Sequence, residues 1–106
     1  MNERVTVQVV DIPAENRFEA ALPDGSKAIV TYKVLATGVL IDHTEVPEQW
    51  EGKGIAGQLA EQVLTDIRGR GLLVLPVCPF FAGWIPRHPE FHDLVHPHYK
   101  RALGLE

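Results

Sequence analysis

The chain has 106 residues, of which 45% are hydrophobic and 23% charged, and its formal net charge is −4. This length predicts one compact domain over residues 1–106, and the composition excludes a fibre, a linker or a disordered tail. The negative charge argues against nucleic acid as a partner, and the longest apolar stretch, residues 71–84, is too short to span a membrane.

The amino terminus and the cysteine content indicate the cellular compartment. The first residues lack the basic start and apolar core of a secretory signal. The one cysteine, Cys78, excludes an intrachain disulfide and a cysteine-rich zinc site. We therefore expect a cytoplasmic protein.

The first half of the chain predicts an antiparallel meander of four strands. Hydrophobic and polar residues alternate over residues 4–10, 17–22 and 27–34, which is the period of a strand with one buried face. Turn-forming residues 23–26 separate the second strand from the third. A more apolar fourth strand is predicted over residues 39–46.

The second half of the chain predicts an amphipathic helix and a buried strand. The helix covers residues 55–68, where apolar residues recur at every fourth position: Ile55, Leu59, Val63 and Ile67. A nearly all-apolar strand follows over residues 72–77, and short helices are predicted over residues 80–85 and 89–95. The predicted fold class is α+β, a mixed sheet in which an antiparallel meander precedes one right-handed βαβ crossover.

The glycine-rich turn before the helix predicts an anion site. Gly52, Gly54 and Gly57 lie where unpaired N–H groups and the positive end of the helix point into one small region, and Lys53 adds a cation. A side chain at Gly52 or Gly54 would block a phosphate or forbid the backbone angles that the turn needs. The alternative is that the glycines only close a tight loop.

Two common nucleotide sites do not fit this turn. Its spacing matches G-x-G-x-x-G, but a polar connection separates it from the preceding strand, and the following strand carries no acidic residue for a ribose. The chain also lacks the G-x-x-x-x-G-K-[ST] pattern of a P-loop. These departures disfavour NAD and ATP.

The pattern Gln49-x-x-Gly52-x-Gly54 resembles the Q/R-x-x-G-x-G/A pyrophosphate loop of the GNAT superfamily of acetyl-CoA-dependent N-acetyltransferases. Residues 43–47, 51–56, 77–80 and 88–90 resemble, in order, the minimal single-domain family of that superfamily. This resemblance covers about residues 17–100. It implies that acetyl-CoA or CoA is the cofactor.

The resemblance also implies where the cofactor lies. The fourth and fifth strands would splay apart with the pantetheine arm between them, and the pyrophosphate would rest on the glycine turn. The aromatic residues around Phe80 would flank the pantetheine or, alternatively, only pack in the core. The residues expected to contact the cofactor are Val46, Gln49, Glu51, Gly52, Lys53, Gly54, Ile55, Ala56, Gly57, Cys78 and Phe80.

Acyl transfer to an amine needs a base, a polarised thioester carbonyl and a proton for the departing thiolate. His43 and Glu45 lie two apart on a strand, share one face and are candidates for the base. A main-chain N–H near Glu45 or Val46 would polarise the carbonyl. Cys78 would protonate the thiolate or accept the acetyl group, or else it is a buried packing residue. The tyrosine acid of many superfamily members has no counterpart here.

The histidines near the carboxyl end predict no metal site, because Pro89 and Pro97 interrupt the helix on which His88 and His92 would pair. The two helices that larger superfamily members insert between their first and second strands are also missing, so the acceptor pocket is open, shared across a dimer or absent. We expect a monomeric or homodimeric N-acetyltransferase for an exposed amine, such as a lysine or a polyamine. The alternative is a CoA-binding module with little or no catalysis.

Overall fold

The computed structural model describes residues 5–105. In this part of the chain, five strands form one sheet in the order β1-β2-β3-β4-β5, with three α-helices and several short 3₁₀ turns. The first three strand pairs are antiparallel and β4 pairs with β5 in parallel, so the predicted α+β fold class is confirmed. The elements are β1 (Val9–Ile12), β2 (Arg17–Ala21), β3 (Lys27–Leu35), β4 (Gly38–Glu45), α1 (Ile55–Gly69), β5 (Val74–Pro76), α2 (Pro79–Trp84) and α3 (Pro97–Lys100).

The first strand begins later than the alternation over residues 4–10 predicts. Arg4 lies outside the described residues, and the main chain of residues 5–9, which we call the N-terminal strap, hydrogen-bonds to side chains of α1. These side chains are Gln58 and Gln62. The strand predicted over residues 4–10 therefore overlaps β1 only at Val9 and Val10, and before them glutamine amides of α1 take the place of a neighbouring strand.

The fifth strand is shorter than predicted, and the elements after it are shifted. Pro76 ends β5 because its ring nitrogen cannot donate a hydrogen bond, and Val77 is 48% exposed rather than buried. The segment predicted as a helix over residues 89–95 is a 3₁₀ turn, Pro89–Leu94. Pro97 begins α3 instead of ending a helix, which suits proline at a first helical position.

The core lies between the sheet and α1. The four apolar residues that recur along α1, from Ile55 to Ile67, are each at most 1% exposed, as the periodicity predicts. They pack against sheet residues that are similarly buried, among them Phe18, Val30 and Ile41, and against Phe81 of α2. No helix within residues 5–105 has the length and apolar character needed to cross a membrane.

Strand β4 contains a bulge next to the residue at which its pairing with β5 ends. Tyr32 pairs with Ile41 but Thr31 pairs with His43, so Asp42 is an extra, bulged residue on β4. Pairing with β5 ends at Ile41, whose carbonyl accepts a hydrogen bond from the Cys78 N–H at 2.8 Å. The rest of β4, residues 42–45, continues beyond the end of the parallel ladder and leads into the candidate site.

Candidate functional site

A cavity of about 300 Å³ lies where the end of β4 meets the first turn of α1. This volume is at the lower end of the range typical of small-molecule sites. Of its lining residues, all but Thr44 and Trp50 are ones that the sequence predicts to contact the cofactor. The lining residues are Thr44, Val46, Trp50, Glu51, Gly52, Gly54, Ile55, Ala56, Gly57 and Phe80.

Two glycines shape the turn that enters α1. Gly52 has φ 79° and Gly54, the N-cap of α1, has φ 78°, values that glycine adopts without the strain of a Cβ. Gly54 offers no side chain to cap the helix, and the first turn of α1 contains no acidic residue. The positive end of the helix dipole therefore lies at the cavity with no carboxylate in the first turn of α1, and the acidic residue of the lining is Glu51, which precedes the turn.

Gly57 also lines the cavity, and the packing around it would allow a larger residue. It lies inside α1, and a Cβ there would meet only the Trp84 Nε1 atom, at an ordinary 3.7 Å. Alanine is more favourable than glycine in a helix, chiefly because glycine loses more backbone entropy on folding. A glycine at this position therefore keeps the cavity wide at a cost in stability.

We expect Gly57→Ala to raise the free energy of unfolding by about 0.5–1 kcal/mol while weakening CoA binding a few-fold. The matched control is Gly69→Ala, at the other end of α1, where a Cβ would contact nothing within 4 Å. Urea denaturation and calorimetric titration measure the two quantities. Equal CoA affinity in both variants would show that Gly57 does not serve the cavity.

Three residues predicted to contact the cofactor, Gln49, Lys53 and Cys78, lie outside the cavity lining. The Gln49 side chain donates a hydrogen bond from Nε2 to Asp24 Oδ2 at 3.2 Å, in the turn between β2 and β3. Hydrogen bonds from the Ser26 hydroxyl, the Ser26 N–H and Gln49 hold the pKa of Asp24 well below its usual range. Lys53 is exposed beside the cavity. The structure thus gives Gln49 a partner in the protein and leaves Lys53 in solvent.

The three candidate catalytic side chains fall into two groups on opposite sides of β4. His43 Nε2 and Glu45 Oε2 lie 3.9 Å apart, and each side chain is 62% exposed. Thr44 pairs with buried Val30 and so leaves the strand on the other face. Cys78, only 3% exposed, belongs with Thr44, because its Sγ lies 3.2 Å from Thr44 Oγ1.

Two lining residues, Thr44 and Trp50, are not among those that the sequence predicts. Thr44 could have been found by applying the strand alternation to Val46, since residues two apart on a strand share a face. Trp50 lies on a 3₁₀ turn, Glu48–Trp50, in the connection between β4 and α1. No periodic pattern marks a residue in such a connection, so the sequence carried no signal for it.

The histidines near the carboxyl end bond to the main chain. His88 Nδ1 donates to the Trp84 carbonyl at 2.8 Å, and its ring stacks on the indole with centroids 3.4 Å apart. His92 Nε2 donates to the Ile85 carbonyl at 3.0 Å. Among the described residues there is no group of three or more His, Cys, Asp or Glu that could hold a metal ion.

Comparison with known proteins identifies the family to which this mixed sheet, glycine turn and helix belong. A model of the GCN5-related N-acetyltransferase family matches residues 17–94, so the chain belongs to this family. Membership supports acetyl-CoA-dependent N-acetyl transfer as the general activity.

The fold has also been seen in a solved structure. The chain is similar to a GCN5-like protein from Staphylococcus aureus whose solution structure was determined by NMR, with a TM-score of 0.65 and 23% identity over 84% of this chain and 87% of the other. At this identity the likeness concerns the fold alone. Among curated protein sequences, none matches the chain.

Proposed function

We propose that the cavity binds acetyl-CoA and that the protein transfers the acetyl group to an exposed amine by direct attack on the thioester. The observation that carries this proposal is the position of the cavity, between the end of β4 and the uncapped first turn of α1. An anion at that helix end gains both the free N–H groups and the helix dipole.

The residues around the cavity fit the parts of the cofactor. The N–H groups that follow Gly52 and Gly54 would receive the pyrophosphate, with Lys53 as the nearest cation in the turn. Residues 42–45 run past the end of the β4–β5 ladder, and an extended arm can add to such an edge through main-chain hydrogen bonds. Phe80 supplies an apolar wall for that arm.

In the proposed reaction, a neutral amine attacks the carbonyl carbon, a C–N bond forms, and the C–S bond of the thioester breaks. His43 or Glu45 takes the proton of the amine, directly or through water. The thiolate receives a proton from Cys78, and a main-chain N–H near Glu45 or Val46 stabilises the oxyanion.

The open surface around His43 and Glu45 supports an acceptor that presents its amine at the end of a chain. Only a 3₁₀ turn, Pro13–Glu15, connects β1 to β2, so no helix of that connection walls the acceptor. A lysine side chain or a polyamine would reach such a surface. The exposure of His43 and Glu45 also favours a second candidate function, a CoA-binding module with little catalysis.

Calorimetric titration of acetyl-CoA, CoA and pantetheine into the protein tests the binding step. We expect acetyl-CoA and CoA to bind, and pantetheine to bind at least about tenfold more weakly because it lacks the pyrophosphate. Affinity for CoA should fall as salt rises, since part of it is electrostatic. No binding of CoA at millimolar concentration would refute the proposal.

A further inference from the structure

Gln58 is 8% exposed and is the only buried amide or charged side chain among the described residues. Its Oε1 accepts a hydrogen bond from the Val7 N–H at 2.9 Å. Its Nε2 donates to the Val5 carbonyl at 2.5 Å and to the Gly54 carbonyl at 3.1 Å. Both donor hydrogens and the acceptor of the amide are therefore used, and they join the N-terminal strap to the glycine turn.

The hydrogen bond from Gln58 to the Gly54 carbonyl restrains two residues that line the cavity, Gly54 and Ile55. The Gly54 carbonyl and the Ile55 N–H belong to one planar peptide group, so fixing the oxygen also fixes the direction of the N–H. Gly54 has no side chain of its own to hold this peptide. Glycine also has access to backbone conformations that other residues cannot adopt. As the N-cap carbonyl, the Gly54 oxygen also accepts the first main-chain hydrogen bond of α1, so the Gln58 amide adds a second hydrogen bond that restrains the same peptide.

We propose that Gln58 is a positioning residue for CoA, which holds the Gly54–Ile55 peptide in the orientation that the pyrophosphate needs. This inference rests on the proposed function, because it concerns the same cavity. The N-terminal strap in turn holds Gln58 through Val5 and Val7. Gln58 itself does not line the cavity and acts only through Gly54.

The neighbouring Gln62 provides a matched control. It lies one turn further along α1 and also bonds twice to the strap, from Nε2 to the Val7 carbonyl and from the Val9 N–H to Oε1, both at 2.9 Å. Both of these hydrogen bonds go to the strap and neither goes to the glycine turn. Removing either amide loosens the strap, but only removal of the Gln58 amide takes a hydrogen bond away from the Gly54 carbonyl.

The experiment compares Gln58→Met with Gln62→Met by CoA calorimetry and urea denaturation. Both variants should be less stable than the wild type, because each leaves main-chain groups of the strap without partners. Gln58→Met should bind CoA about tenfold more weakly than Gln62→Met, the effect expected from losing one ordinary hydrogen bond. Gln62→Met should keep the affinity of the wild type.

A third variant, Gln58→Thr, separates the bond to Gly54 from the bonds to the strap. Thr65 in the same helix donates from Oγ1 to the carbonyl four residues earlier, Glu61, at 2.7 Å. A threonine at position 58 can reach the Gly54 carbonyl in the same way but cannot reach the strap. We expect it to recover much of the CoA affinity that Gln58→Met loses while remaining as unstable as that variant.

The outcomes distinguish this inference from the function on which it rests. Failure of the wild type to bind CoA would overturn both. Binding by the wild type with equal affinities in Gln58→Met and Gln62→Met would overturn only the positioning role. If Gln58→Met does not fold in buffer, the same comparison is made in trimethylamine N-oxide, which favours the folded state, and equal affinities of Gln58→Met and Gln62→Met there contradict the role.

Discussion

Replacing Gly52 by leucine is expected to weaken CoA binding by about a hundredfold, which corresponds to about 2.7 kcal/mol. Gly52 lines the cavity, and its φ of 79° belongs to the left-handed region that a side chain disfavours. The leucine side chain would enter the space that we assign to the pyrophosphate, or the turn would change its backbone angles to avoid strain. Either response removes the arrangement of N–H groups that binds the anion.

Gly71→Leu is the control for this effect. Gly71 has φ 70° and, like Gly52, would place a Cβ in open space, but it follows the opposite end of α1. Both variants should therefore lose about 1–2 kcal/mol of stability through backbone strain, and only Gly52→Leu should lose CoA affinity. Urea denaturation and calorimetry give the two quantities. A folded Gly52→Leu protein with the affinity of the wild type would exclude this turn as the pyrophosphate site.

The elements of the fold that leave a short repeat of apolar residues in the sequence could be predicted. The stripe from Ile55 to Ile67 fixes both the extent of α1 and its buried face, because a helix repeats every 3.6 residues. The glycine turn could also be located, since positive φ angles and a helix entry leave a local signature in Gly52 and Gly54. These features depend only on neighbours in the sequence.

Features that depend on distant residues could not be predicted. The N-terminal strap has the alternation of a strand, but its hydrogen-bond partners are side chains more than fifty residues away. The bulge at Asp42 and the early end of β5 decide where β4 leaves its partner, and neither follows from hydrophobic periodicity. The contact between Thr44 and Cys78 likewise exists only because the parallel crossover brings the two segments together.

Cys78→Ala is expected to lower kcat by about 10² to 10⁴, the range of general acid catalysis, because Cys78 is the proposed proton donor to the departing thiolate. The alanine removes the proton donor that lies 3.2 Å from Thr44 Oγ1 next to the cavity. CoA affinity should change little, because the anion site lies at the glycine turn. Acetyl transfer to a lysine peptide or to spermidine, followed by release of free thiol, measures the rate.

Thr44→Val is the control, since it removes the hydroxyl that contacts Cys78 but leaves the thiol in place. If the Cys78 thiol itself supplies the proton, Thr44→Val should keep most of the wild-type kcat. A kcat as low as that of Cys78→Ala would mean that the proton comes from the Thr44 hydroxyl or requires both side chains. Full activity in Cys78→Ala would make the cysteine a packing residue. If the wild type binds CoA but transfers acetyl to neither amine, the protein is better described as a binding module. The cavity would then hold CoA without a side chain that catalyses the transfer.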